Sequence, residues 1–464
     1  MVRRRQRERS VWEVVLPDAS KLWPAALRRI DQLIDDEALV EVIAAALERR
    51  YPKSRHRGRH GTPAGVVLRM LILKHLYGWS YAALEHEVRA NLVYRAFARI
   101  GCDAGPDAKT ILKIANALGP AVIAQLHQRV VALAIDAGVT TGRRLRVDTT
   151  VVETNIHHPT DSSLLADGVR VVTRVVKTLE AVVGRGRRAM RDRARSVMRR
   201  VLDIHYAARS PKTRDRLGVS YRRLVATTRA VLRDAERMRR RAAQRVRTVT
   251  DATRRRVARV QRQLQTVIPL VRRVVAQTTQ RVFAGDTHVP DKVVSLFEPH
   301  TTPIRKGKIV TPTEFGQLVS IQEADGQIVT AYAVHDGRPA DSTLWAPALD
   351  AHQQTFGKPP DLAVADRGFA SAANEAAATA RGVRRVVLPR PGPKTPARRA
   401  YERQRWFRRG LRWRVGCEGR ISVLKRRHRL RRCLYHGADG MQRWVGLGVL
   451  AGNLVVIATP RGAP

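Results

Sequence analysis

Phe315 to Val334 read FGQLVSIQEADGQIVTAYAV, two β-rich runs that meet at Asp325-Gly326. Asp-Gly flanked by such runs is the strongest short-range hairpin signal, because the tight turn needs residues that accept a positive φ. A sheet entered through an antiparallel hairpin is not the βαβ entry of a doubly wound nucleotide-binding fold. Neither GxGxxG nor GxxxxGK[ST] occurs in the chain. Upstream, LRVDTTVVETN (145–155) reads as a strand. Downstream, Asp341 to Gln354 reads as a helix, DLAVADRG as a short buried strand and Ser371 to Arg381 as an Ala-rich helix. VRRVVLP reads as a further strand and Leu411 to Leu430 as a helix.

The order βββαβαβα is that of a ribonuclease-H-like mixed sheet. The expected fold is thus an α/β catalytic core over 142–156 and 313–460, with two additions. An all-helical N-terminal domain covers 1–120, where Leu68, Leu71, Ile72 and Leu76 form a stripe ahead of Gly78-Trp79-Ser80 and a second helix with Ala83, Leu84 and Val88. Gly78 suits the end of the first helix and Ser80 the cap of the second. Such a pair reads DNA in a helix-turn-helix, and it equally makes a plain hairpin in a bundle. The other addition, 157–312, is a long Arg-rich helical insertion between the first and second core strands. It reads as two or three helices, broken at Pro211 and again at Pro269, with Val257, Val260, Leu264 and Val267 on one packing face. A clamp on DNA phosphates and a solvated hairpin both fit it.

Lys and Arg total 87 against 40 Asp and Glu, a net charge of +47. An excess of that size repels itself unless a polyanion shares the surface, so nucleic acid is the expected partner. Cys102, Cys417 and Cys433 are too few and too scattered for a disulfide framework or a CxxC metal site, as in a reducing compartment. The basic start lacks an apolar stretch, and the apolar run Trp444 to Thr459 is short for a bilayer, so it reads as a buried helix. The expected location is cytoplasmic, at the nucleoid, with no membrane partner.

Three carboxylates fall where this sheet order brings residues together. Asp148 sits mid-strand, a costly place for a charge without a counter-ion. Asp366 ends its strand before Arg367-Gly368, where ligand chemistry is expected. Glu418 lies on the last helix, four residues after Arg414 and seven before Lys425, so all three share a face. Singly, each has a structural use: Asp148 beside Arg146, Asp366 capping the next helix, Glu418 pairing with Arg414. Together they make a site for two Mg²⁺ ions, with Mn²⁺ as substitute, able to activate a water or 3′-hydroxyl at a phosphodiester. Arg414, Arg420 and Lys425, and the basic loop with Arg305, Lys306 and Lys308, are candidate DNA contacts. Asp341 is expected to cap its own helix, and Trp406 and Trp413 to pack in the core or stack on an unpaired base.

RVDTTVVETN, VADRGFAS and Arg414-x3-Glu418-x6-Lys425 resemble the three motif regions of bacterial insertion-sequence transposases of the DDE class. DTTVVETNIHHPTDSSLLADGVRVVTR resembles the members grouped as ISNCY, and GTPAGVVLRMLILKHLYGWSYAALEHEV the helical module that precedes the catalytic domain in related elements. The resemblance implies metal binding by Asp148, Asp366 and Glu418, and DNA contacts by Arg414 and Lys425. It also implies cleavage at element ends, strand transfer into target DNA, and a homodimer that synapses two terminal inverted repeats. A nuclease of the same fold without strand transfer, or a non-catalytic DNA-binding protein, are the alternatives. Relatives with a Tyr three residues before the Arg have their counterpart at Leu411 here, so that role does not carry over.

Overall fold

A computed structural model describes residues 1–5, 19–50, 52–55, 57, 58, 60–101, 104–184, 189–209, 213, 215–245, 250–305 and 312–459. The chain divides into two compact units, Met1–Asn155 with Gly316–Pro464, and Ile156–Phe315.

The first unit begins with seven helices: α1 (Ala25–Ile34), α2 (Glu37–Arg50), α3 (Ala64–Tyr77), α4 (Tyr81–Ala90), α5 (Leu92–Ala98), α6 (Ala108–Ala117) and α7 (Pro120–Asp136). The expected turn after α3 is present. Gly78 takes φ 67°, and the Ser80 hydroxyl accepts from the Ala83 N–H at 3.0 Å to start α4. α3 is apolar on every side and buried almost throughout, so it is a core helix.

Strand β1 (Arg144–Thr154) follows. After the second unit come β2 (Glu314–Ala324), β3 (Val329–His335), α12 (Trp345–Phe356), β4 (Leu362–Val364), α13 (Ala372–Ala380), β5 (Arg385–Val387), α14 (Pro396–Arg403), α15 (Arg405–Arg427), β6 (Arg432–Cys433) and α16 (Gly437–Ala458). The numbering leaves α8 to α11 for the second unit. Among these strands the order is β3-β2-β1-β4-β5, antiparallel across β3, β2 and β1 and parallel from β1 to β5; β6 joins the far end of β1. The Asp-Gly hairpin is as read, with Gly326 at φ 78° and Gln327 at φ 62°.

Alternation along β1 sorts its side chains onto two faces. Leu145 and Val147 pack with Trp345 and Leu349 of α12. Val152 joins Leu424 of α15 and Met441, Trp444 and Val445 of α16. α16 also inserts Leu447, Leu450 and Leu454 among the N-terminal helices, and the expected helical module 1–120 falls in one compact unit with the sheet. α16 is the one described helix long and apolar enough to cross a membrane, and it is mostly buried.

The second unit contains α8 (Asp161–Val183), α9 (Ala194–Arg209), α10 (Asp215–Arg245) and α11 (Asp251–Phe283). Val169, Val172 and Val176 of α8 face Val257, Leu264 and Val271 of α11 and Val231 and Ala235 of α10. The expected break at Pro269 is absent: α11 runs through it. Pro269 and Gln265, the residue whose carbonyl loses its partner, are both exposed, so water satisfies what the missing N–H leaves open. The expected break at Pro211 lies outside the described residues.

Besides His352, three histidines of the first unit are buried and neutral. Burial pushes His127 and His428 down to about 4, and His75 well below its usual range. His127 Nε2 also meets the Val329 carbonyl at 2.8 Å. Below pH ~6.5 the unfolded chain takes up protons that the folded histidines refuse, so stability falls as pH drops. Urea unfolding should therefore lose about 2 kcal/mol per histidine between pH 7 and pH 5, above the carboxylate range, and His127→Gln should flatten that slope.

Candidate active site

Asp148 follows Arg146 by two residues on β1 and so shares its face, the one covered by α15. Arg146 is buried and grips the Glu323 carboxylate of β2 through Nε at 2.9 Å and Nη2 at 2.5 Å, while Nη1 donates to the Trp413 carbonyl of α15 at 2.5 Å. The next residue of α15, Arg414, reaches Asp148. Its Nη1 stands 3.9 Å from Asp148 Oδ2 and its Nη2 2.8 Å from Glu418 Oε1, so one guanidinium lies between two carboxylates. Arg146 is spoken for by Glu323, so the pairing expected for Asp148 goes to Arg414 instead.

Asp366 lies two residues beyond β4, and its Oδ1 accepts from the Gly368 N–H at 2.8 Å, capping the short turn Arg367–Phe369. β4 is parallel to β1 in the register Arg146↔Val364, which sets Asp366 level with Asp148. Asp148, Asp366, Arg414 and Glu418 line one open cleft of about 670 Å³. Its remaining wall comes from Arg367, Leu411, Val415 and the loop Pro389-Arg390-Pro391-Gly392 with Lys394. Glu375 and Glu402 pin that loop: Glu375 pairs with Arg390 at 2.7 Å, and Glu402 with Lys394 at 2.5 Å. Burial alone would raise the Glu402 carboxyl, but Lys394, the Arg390 N–H and Arg398 hold it below the usual range.

Among the described residues no three His, Cys, Asp or Glu groups stand close enough to hold a metal ion as arranged. Asp148, Asp366 and Glu418 are nonetheless an all-oxygen donor set, which fits a hard divalent cation, and Arg414 supplies positive charge between two of them.

A model of transposase domains described as DUF772 matches residues 17–117, and a model of the transposase DDE domain matches residues 305–454. The chain belongs to the insertion-sequence DDE transposases. No solved structure matches it. The second match contains Asp366 and Glu418; Asp148 lies outside both.

The other expected DNA contacts of this transposase separate. Arg420 is buried, not offered to phosphate: it turns from the cleft toward α16, where its Nη2 donates to Asn453 Oδ1 at 3.3 Å and burial lowers its proton affinity. The cause is its place on α15, two residues past Glu418 and so on the helix's inner side. Lys425, near the end of α15, is partly exposed and does not line the cleft. Arg305 is exposed in the second unit, and Lys306 and Lys308 lie outside the described residues. Trp413 and Trp406 serve as platforms for arginines, Trp413 under Arg144 and Arg146 and Trp406 under Arg385.

Sequence reasoning missed Arg367, Arg390 and Lys394, which tertiary folding carries to the cleft from separate segments. It also misjudged Asp341. That carboxylate caps no helix; its Oδ1 accepts from the Thr149 hydroxyl at 3.0 Å, on the face of β1 opposite Asp148. A Cβ on Gly368 would stand 2.9 Å from Asp341 Oδ2 and 3.1 Å from Asp366 Oδ1. Gly368→Ala should thus push Asp366 out of place and lower transposition frequency about 10²-fold, with little change in the thermal unfolding midpoint. A midpoint that falls in step with activity would instead mark a general folding defect.

Proposed function

We propose that the cleft between β1, the end of β4 and α15 binds a DNA phosphodiester at an element end, frees a 3′-hydroxyl and joins it to target DNA. The observation that carries this is the convergence of Asp148, Asp366 and Glu418 on one cleft with Arg414 between two of them. The sheet order β3-β2-β1-β4-β5, entered through a hairpin, supports a ribonuclease-H-like reading of the core. Bound Mg²⁺, or Mn²⁺ in its place, would supply Lewis-acid activation of the attacking water or hydroxyl and charge stabilisation at the leaving oxygen.

The chain's own residues do the rest. Asp148 is oriented by the Thr149 N–H at 2.7 Å and Asp366 by the Gly368 N–H, so two of the three carboxylates are aimed before DNA arrives. Glu418 is more than half exposed and, among the described residues, is held by Arg414, so it would be the freest of the three to take up a cation. Arg414 then turns its planar fork to non-bridging phosphate oxygens. Arg367, Arg390 and Lys394 also line the cleft, and they hold the DNA strand on either side of the reacting phosphate. The N-terminal helices and Lys425 add DNA contacts outside the cleft. Synapsis of two ends calls for a pair of chains.

Incubated with Mg²⁺ and DNA bearing its own terminal repeats, the protein should cut at the repeat ends and yield joined products on a denaturing gel. Asp148→Asn, Asp366→Asn and Glu418→Gln should each lower cutting at least ~10³-fold while a gel shift of the end DNA persists. Wild-type cutting by any one variant removes that residue from the site, and cut but never joined DNA reduces the function to hydrolysis.

A further inference from the structure

The second unit distributes its arginines unevenly. On α10, Arg222, Arg229, Arg233 and Arg240 follow one another at seven, four and seven residues and are all exposed. At ~3.6 residues per turn these intervals keep them on one face. Leu224, Val231, Ala235, Met238 and Ala242 occupy the buried side of the same helix, so the four arginines point away from the core. On α11, Arg255, Arg259 and Arg262 form a second exposed row opposite Val257, Val260 and Leu264.

None of these seven has a carboxylate partner among the described residues. Among the described side chains of the two helices, Asp234 pairs with Arg193 and Arg237, Glu236 with Arg239 and Arg272, and Asp251 with Arg254. Like charges stacked at helical spacing destabilise a helix, and nothing in the unit's packing needs them. Among the described residues, Arg222 lies over the Phe283 ring.

We infer that the outer face of α10, with the parallel provision on α11, is a sequence-independent track for the phosphate backbone of duplex DNA. This deepens the proposed function, on which it rests, by giving the second unit the grip on DNA flanking the cut. From Arg222 to Arg240 the row extends about 27 Å at ~1.5 Å per residue, the length of about eight base pairs at ~3.4 Å each. Guanidiniums spaced along such a length neutralise several phosphates of one strand, and each releases a condensed counter-ion.

The test is salt-dependent binding of the full chain to a 30-bp duplex lacking any terminal repeat, followed by fluorescence anisotropy in chelator. Without divalent ions the result is independent of cutting, so a failure here is separable from a failure of the carboxylate site. The variant carrying R222Q, R229Q, R233Q and R240Q should lose about 3 to 4 from the slope of log K against log salt, at ~0.9 per phosphate contact. Its affinity at physiological salt should fall at least ~10-fold, with an unchanged helical circular dichroism signal. Lys at the same four positions keeps the charge and should keep the wild-type slope. R255Q, R259Q and R262Q together should remove a further part of it. An unchanged slope in the four-Gln variant overturns the inference, as does a Lys variant as weak as the Gln one. Tighter, equally ladder-dependent binding to duplex RNA overturns the choice of DNA.

Discussion

The buried ion pair of Arg146 and Glu323 is the constraint on which the cleft depends. It clamps β1 to β2, and through the third arm of Arg146 it holds α15 at the Trp413 carbonyl. Taking both charges out of water is costly, and only the forked geometry and added partners offset that. Burial raises the Glu323 carboxyl, against which Arg146 first, then Arg420 and the Cys417 thiol, stabilise its charged form. Arg420 extends the network to Asn453 of α16, whose amide in turn bridges both the N–H and the carbonyl of Val329 on β3. Five elements, β1, β2, β3, α15 and α16, are thereby fixed in height against one another, and Arg414 and Glu418 arrive opposite Asp148 as a consequence.

Charge follows two regimes in the two units. In the first, arginines near the cleft are paired or stacked: Arg414 with Asp148 and Glu418, Arg390 with Glu375, Arg398 with Glu375 and Glu402, Arg144 on Trp413. These pairs hold a wall and a floor in place. In the second unit, α10 and α11 bury valine and leucine inward and leave rows of arginine outward. Under the proposed function, the first regime would position one phosphodiester closely and the second would hold a length of duplex loosely.

Much of this was readable from residues alone where the signal is local. The Asp-Gly hairpin, the Gly78 stop and Ser80 cap, the strand carrying Asp148 and the helix carrying Arg414 and Glu418 depend on neighbours a few positions away. Other features escaped. Helices α7 and α14 did so although α7 carries an apolar stripe behind Pro120 and α14 a Thr395 cap ahead of Pro396, and strand β6 is only two residues long. Pro269 reads as a breaker because its exposure is invisible in sequence. Asp341 looks like a cap because Thr149 and Gly368 lie far from it along the chain.

The sequence by itself determined which residues share a strand or helix face, since periodicities of two and 3.6 are written into the backbone. With the sheet order, that singled out Asp148, Asp366 and Glu418 as the candidate set, and a charge of +47 pointed to a polyanion partner. Only the tertiary structure decided what stands across from each face. It sent Arg420 inward to Asn453, lent Arg414 to two carboxylates, and brought Arg390 and Lys394 to the cleft. The physical reason is that face is a property of local geometry, whereas opposition depends on how elements distant in sequence pack, and that is settled by burying their apolar sides together.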